Sequence, residues 1–224
     1  MSWDNTWETI FQNQAWGKYP GEDIVRFVAR NFYKAPERSQ VKLLEIGCGP
    51  GANIWFMARE GFNVFGIDGS STAISQAKKR LQEEVPNWHG QLDVGDMVNL
   101  PYQDNHFDAV LDIEASSTNS FENTKKIFTE AARVLKPSGV LYVRTFSTGT
   151  WGDKTGEMLG KNTFLPKEGP MAGKGLTRFT DEEEIESLMP NNLKVKSVDL
   201  LQWGRGTETI KEWMIIAQKE SDLG

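Results

Sequence analysis

Residues 43–51 read Leu-Leu-Glu-Ile-Gly-Cys-Gly-Pro-Gly, and nineteen residues beyond Gly49 stands Asp68, closing the apolar run Phe62-Asn-Val-Phe-Gly-Ile67. A glycine-rich turn between a buried strand and a helix lets a ligand approach the backbone where no Cβ stands in the way. A carboxylate at the tip of the next strand can accept hydrogen bonds from both hydroxyls of a ribose. Together they predict an adenosine-type ligand over the carboxyl edge of a parallel sheet.

The glycines alone leave the ligand open. Gly47, Gly49 and Ala52 fit G-x-G-x-x-A, which suits a pyrophosphate on a helix N-terminus, as in NAD. Gly47, Gly49 and Gly51 fit G-x-G-x-G, which can admit the methionine part of S-adenosylmethionine. Glycines that merely tighten a strand–helix turn would satisfy both. Other polar residues fall where the same sheet edge would lie: Asp93-Val-Gly-Asp-Met97, then Asp112 and Glu114 after an apolar run, then Arg144 after another. Asp93 and Asp96 are also ordinary turn formers. His89 and His106, the two histidines, fall at the beginnings of strands, and His106 in Asp104-Asn105-His106 reads as an exposed surface turn.

These residues need an alternating frame to position them. Strand-like runs are expected at 41–46, 62–67, 90–94, 107–113, 138–146, 193–203 and 210–218, and helical patterns at 22–34, 52–60, 71–84, 121–135 and 180–189. The alternation predicts an α/β fold. Ser70 or Ser71 can cap the 71–84 helix, Pro137-Ser-Gly139 turns the chain after 121–135, and Thr180-Asp-Glu-Glu183 has capping-box spacing. The first forty residues carry Trp3, Trp7, Phe11, Trp16, Tyr19, Phe27, Phe32 and Tyr33, and residues 147–178 hold seven glycines with little periodicity. A structureless insert of that length is uncommon in a compact domain and often covers a site.

With 224 residues, 38% apolar and 25% charged, the chain can build one substantial core. A formal net charge of −6 gives little attraction for phosphate backbones, so no nucleic-acid partner is expected. The lone Cys48 suits a reducing, cytoplasmic setting. The start, Met1-Ser-Trp-Asp, lacks the features of a secretory signal, and no run is long enough to span a bilayer. No metal site and no membrane partner are expected; the oligomeric state is left open.

Several ordered segments then resemble the class I S-adenosylmethionine-dependent methyltransferases, in their small-molecule branch. Glu45-Ile-Gly-Cys-Gly-Pro-Gly51 resembles their first motif, and Val64-Phe-Gly-Ile-Asp-Gly-Ser70, followed by Ala73-Ile-Ser-Gln-Ala77, their second. Asp93-Val-Gly-Asp-Met97 is similar to the adenine-end motif. Leu100-Pro-Tyr-Gln-Asp104 with Phe107-Asp-Ala-Val-Leu111, and Glu130-Ala-Ala-Arg-Val-Leu-Lys-Pro-Ser-Gly139, resemble the approaches to the fourth and fifth strands. The likeness spans about residues 41–146.

The resemblance implies a Rossmann-like, doubly wound, seven-stranded and mostly parallel sheet with its last strand antiparallel, in one domain. Residues 1–40 would form a helical cover, 41–146 the cofactor core, 147–178 a lid, and 179–224 a helix and closing hairpin. It implies that Gly47, Gly49 and Gly51 line the methionine moiety, that Glu45 supports that turn, and that Asp68 holds the ribose beside Gly69 and Ser70. Asp96 would accept from the adenine amino group, Met97 would pack on the ring, and Asp112 would sit near the transferred methyl.

The expected reaction is O- or N-methylation of a small molecule, with Asp112 and Glu114 as candidate acid–base groups. The segment Trp16-Gly-Lys-Tyr-Pro20 would cover the cofactor. Trp16, Tyr19, Arg144 and Arg178 are candidate substrate contacts, with Trp151, Phe164 and Met171 in the insert. Arg144 could bind an acidic substrate group or pair with a neighbouring acid. Asp112-Ile-Glu-Ala115 departs from the Asn/Asp-Pro-Pro-Tyr run of methyltransferases acting on nucleic-acid bases. The competing readings are an NAD-dependent oxidoreductase or epimerase, which lacks a second nucleotide half here, and a non-catalytic cofactor-binding subunit.

Overall fold

The computed structural model describes residues 3–221; Met1, Ser2 and residues 222–224, the ends of the expected single domain, lie outside it. The chain runs α1 (Thr6–Asn13), α2 (Glu22–Phe32), β1 (Lys42–Ile46), α3 (Ala52–Arg59), β2 (Asn63–Asp68), α4 (Ser71–Glu84), β3 (His89–Val94), β4 (Phe107–Ile113), α5 (Phe121–Val134), β5 (Leu135–Phe146), β6 (Glu157–Gly160), β7 (Thr163–Leu165), β8 (Thr177–Arg178), α6 (Ile185–Leu188), β9 (Leu193–Trp203) and β10 (Ile210–Lys219).

Seven strands form one sheet in the order β3-β2-β1-β4-β5-β10-β9. The first five are parallel, and β10 runs antiparallel to both of its neighbours, as expected of the last strand. Strand order reverses between β1 and β4. A crevice opens at the carboxyl ends of strands at such a switch point.

Alternation along each strand divides the core into two layers. Leu43, Ala109, Leu111 and Tyr142 face α2, α3 and α4 through Ile24, Phe27, Ile54 and Ala77. Leu44, Val110, Leu141, Val143 and Trp213 face α5 and α6 through Ile127, Phe128 and Leu188. Local signals set the helix starts: the Ser70 hydroxyl accepts from the Ala73 N–H at 3.0 Å to cap α4, and Ser120 does the same for α5 through the Asn123 N–H.

Two expectations change. The 180–189 helix is a 3-10 turn, Glu182–Glu184, followed by a single turn of α-helix, α6. Its capping box is Asp181 with Glu184, one residue later than expected. Thr180 instead bridges to Ser147 through its backbone, and its carbonyl accepts from the Trp213 indole at 3.0 Å. The 147–178 insert is not structureless. It carries the small sheet β6-β7-β8, and its Phe164 and Met171 share a small core with Phe146, Phe179 and Ile210, with Trp7 and Trp151 packed against it. Strands of two to four residues are too short to show alternation in a sequence.

Candidate active site

The turn from β1 into α3 places Gly47, Gly49 and Gly51 at φ of 62°, 50° and 79°, all left-handed. A Cβ on Gly47 would stand 2.2 Å from the Cβ of Ala115, so the β1 and β4 tips meet with no room for a side chain. A Cβ on Gly49 would touch Phe11 at 3.5 Å, beneath the N-terminal cover. One on Gly51 would meet Ala77 of α4 at 2.9 Å. Gly51 therefore serves helix packing and is absent from the cavity wall, contrary to its expected place beside the ligand.

Glu45, at the end of β1, is 3% exposed. Its Oε1 accepts from the Asn53 side chain at 2.6 Å, while Oε2 has no partner. Burial pushes its pKa up to about 8, and the charges of Asp68 and Asp112 push the same way. Asp68, at the end of β2, accepts from the Gly49 N–H and the Ser70 N–H, one on each oxygen, both at 2.8 Å. Burial raises its pKa against these two bonds. The carboxylate is thus aimed, and each oxygen keeps a lone pair for a further donor.

Both acids open on one cavity of about 410 Å³ along the carboxyl edge of the sheet. Gly69, Asp96 and Met97 continue its wall past Asp68. Trp3 lies on Gly69, where a Cβ would fall 2.0 Å from the indole. Ser70 is fully buried behind this wall, capping α4 and held by Glu8. Glu8 accepts from the Ser70 hydroxyl at 2.5 Å and also from the Thr72 hydroxyl, bonds that lower its pKa and fasten α1 to the start of α4. The cover is aromatic: Trp7, Phe11 and Trp16 pack edge-on or tilted, with ring centroids 5.3–5.8 Å apart. Trp16 and Tyr19 both line the cavity; Lys18 does not.

At the other end stand Ile113, Glu114, Arg144, Phe146 and Met171. Glu114 adopts φ 63°, an uncommon left-handed conformation for a residue other than glycine. Its carboxylate pairs with Arg144, which also meets Asp23 at 3.2 Å and Glu212 at 3.3 Å. All three guanidinium nitrogens are therefore engaged by carboxylates. Burial works against the arginine's charge, but Glu114, Glu212 and Asp23 hold its pKa well above the ordinary value. Of the two expectations for Arg144, pairing with neighbouring acids is the one present.

Asp112 and Arg178 do not line the cavity. Asp112 is wholly buried on the α5 side of the sheet, its Oδ1 accepting from the Ser116 N–H at 3.0 Å, and burial raises its pKa to about 6. Arg178, 1% exposed, lies on the same side, where burial lowers its pKa to about 10. Of the insert's candidates, Met171 reaches the cavity; Phe164 and Trp151 pack in the small core shared with Phe146, Phe179 and Ile210. His89 is exposed at the amino end of β3. His106 is half-buried, edge-on to Phe65 and Phe107 rather than exposed in a turn. Asn53, Glu8, Asp23 and Glu212 carried no sequence signal of their own.

A family profile described as a methyltransferase domain matches residues 44–143, the span that contains Glu45, the glycine turn, Asp68 and Asp96. Over that span the chain is similar to S-adenosylmethionine-dependent methyltransferases. Norajmaline N-methyltransferase of Rauvolfia serpentina is 28% identical over 147 residues, 63% of this chain and 48% of that protein. Sterol 24-C-methyltransferase ERG6 of Saccharomyces cerevisiae is 31% identical over 157 residues, 64% of this chain and 39% of that one. The chain thus spans half or less of the length of these relatives. A SAM-dependent methyltransferase from Methanosarcina mazei superposes with a TM-score of 0.73 at 22% identity, covering 87% of this chain and 98% of that one, a likeness of fold.

The cofactor of this methyltransferase family is S-adenosylmethionine, and the cavity suits it on two counts. The unpartnered, buried Glu45 Oε2 is an acceptor without a donor, a place that the ammonium of a methionine end would fit. Asp68, aimed by two backbone N–H groups, can take both ribose hydroxyls, and as an anion it repels a phosphate in that position.

Proposed function

We propose that this chain transfers a methyl group from S-adenosylmethionine to a small organic acceptor. The observation that carries this reading is the continuity of the cavity. The wall holding Glu45, Asp68 and Asp96 runs without a break into the wall holding Glu114, Arg144 and Phe146, under one aromatic cover. S-adenosylmethionine supplies a methyl on a sulfonium, open to in-line displacement. Glu45, Gly47 and Gly49 would hold its amino-acid end, Asp68 and Gly69 its ribose, and Asp96 and Met97 its adenine. Glu114 replaces Asp112 as the acid of choice near the reacting atoms, because Asp112 is sealed on the far side of the sheet.

Much of the catalysis is positioning and exclusion of water. Trp7, Phe11, Trp16 and Met171 provide a cover that fits an apolar or ring-bearing acceptor. Both an oxygen and a nitrogen acceptor accord with this cavity. The formal charge of −6 supports a small-molecule acceptor over a nucleic acid. No helix among the described residues is long and apolar enough to cross a membrane, and the single, buried Cys48 accords with a reducing, cytoplasmic setting.

Calorimetry with S-adenosylhomocysteine and with NAD tests the ligand: the former should bind and the latter should not. Formation of S-adenosylhomocysteine against a metabolite mixture tests the reaction. Binding without turnover on any acceptor would favour the non-catalytic subunit.

A further inference from the structure

Resting on the methyl-transfer reading, we infer that the acceptor is an amine, and that Glu114 holds its nitrogen and takes its proton. The argument begins with Arg144, the cation at the acceptor end. Each of its nitrogens already meets a carboxylate, Asp23, Glu114 or Glu212, so its charge is matched before any substrate acid arrives. Three acids against one base leave that end formally negative. The wall's other cation, Lys174, sits 5.3 Å from the centre of the Trp16 ring, in the cover. An acceptor carboxylate brought to this end would meet Glu114 without a counter-charge.

Glu114 is the acid of the group that lines the cavity, with its side chain 35% exposed, whereas Glu212 is sealed behind it. Glu212 lies against both Arg144 and Glu114, sealed from solvent, and burial pushes its pKa up to about 9. The Tyr142 hydroxyl donates to Asp23 at 2.8 Å, holding that carboxylate on the arginine. A carboxylate beneath aromatic rings is the environment that attracts an ammonium.

The step balances. The bound ammonium passes one proton to the Glu114 carboxylate, which frees the nitrogen lone pair. The acceptor nitrogen then forms a bond to the methyl carbon as the carbon–sulfur bond breaks, and that electron pair stays on sulfur. The methylated amine leaves as its cation, and Glu114 returns its proton to solvent.

The test measures binding of 2-phenylethylamine, 2-phenylethanol and phenylacetate to the protein saturated with S-adenosylhomocysteine, followed by tryptophan fluorescence. The amine should bind about tenfold more tightly than the alcohol, with phenylacetate weakest, as one charge-assisted hydrogen bond allows. Glu114→Gln should erase the gap between amine and alcohol while changing S-adenosylhomocysteine affinity by less than about twofold, which also reports an intact fold. Turnover of amines should fall about a hundredfold or more in the same variant, as loss of a general base predicts. Phenylacetate binding as well as the amine, no binding by any of the three, or an unchanged gap in Glu114→Gln would overturn the inference. Failure of the unmodified protein to bind S-adenosylhomocysteine would instead sink the methyl-transfer reading beneath it.

Discussion

The two ends of the cavity are built in opposite ways. The cofactor end uses short stretches at the tips of β1, β2 and β3, and much of its polarity is backbone: the Gly49 and Ser70 N–H groups aim Asp68. The acceptor end uses long side chains from distant elements. Asp23 of α2 and Glu212 of β10 lie 121 and 68 residues from Arg144, and Glu114 lies 30 away. Backbone geometry fixed by glycines presents one shape, which suits an invariant ligand. Side chains gathered from four elements can be exchanged without rebuilding the sheet, which suits a variable acceptor.

That contrast breaks first at Asp68. Asp68→Ala removes a charged acceptor for two hydroxyls and should weaken S-adenosylhomocysteine binding by about two to three orders of magnitude, read by calorimetry. Unchanged affinity would mean that the ribose lies elsewhere. At the opposite end, Arg144→Met should leave cofactor affinity nearly untouched. It removes the cation that three acids surround, so it should cost about 3 kcal/mol and lower Tm by about 6–12 °C. A variant that lost cofactor binding while keeping its Tm would merge the two ends into one unit.

The same contrast explains what could be read from residue order. Glu45, Gly47, Gly49, Asp68, Asp96 and Met97 are local, and strand period plus turn chemistry brings each of them to the cavity wall. The strands and helices followed from alternating runs for the same reason, whereas the sheet's strand directions came from the resemblance. Asp112 and Glu114 show where that logic stops. A period of two puts them on one face of β4. Glu114 is left-handed, so the chain swings there and its carboxylate meets Arg144 on the α2 side, while Asp112 stays on the α5 side near Arg178. No residue type announces that swing. Arg178, Asp23 and Glu212 were illegible for another reason: their partners are set by long-range packing.

Glu45 sharpens the cofactor end through pH. Its ordinary pKa is 4.5 and burial raises it to about 8, so the folded protein binds this proton more tightly than the unfolded chain does. Stability from this group is complete at pH values below about 4.5 and is lost as pH rises through about 8. The ligand-free protein should therefore lose Tm between pH 5 and pH 8, and Glu45→Gln should flatten that slope. An ammonium placed on Oε2 favours the ionised form, so S-adenosylhomocysteine binding at pH 6.5 should release up to about one proton. Calorimetry in two buffers of different ionisation enthalpy measures that release. An equal release from Glu45→Gln would assign it to another group.

Gly51 gives the smallest effect and the finest division within the cofactor end. Its φ of 79° makes any Cβ unfavourable, by about 1–2 kcal/mol for alanine in a left-handed conformation. The added atom would press on Ala77 of α4 and not on the cavity, because Gly51 caps α3 where the two helices approach. Gly51→Ala should thus lower Tm by about 2–8 °C and leave the dissociation constant for S-adenosylhomocysteine within about threefold. Gly47→Ala carries the same backbone strain but would drive a methyl into Ala115, at the junction of β1 and β4 beside the cavity, and should lose affinity as well as stability. If Gly51→Ala instead lost affinity in proportion to Gly47→Ala, the turn would act as a single rigid cradle, with helix packing and ligand contact inseparable within it.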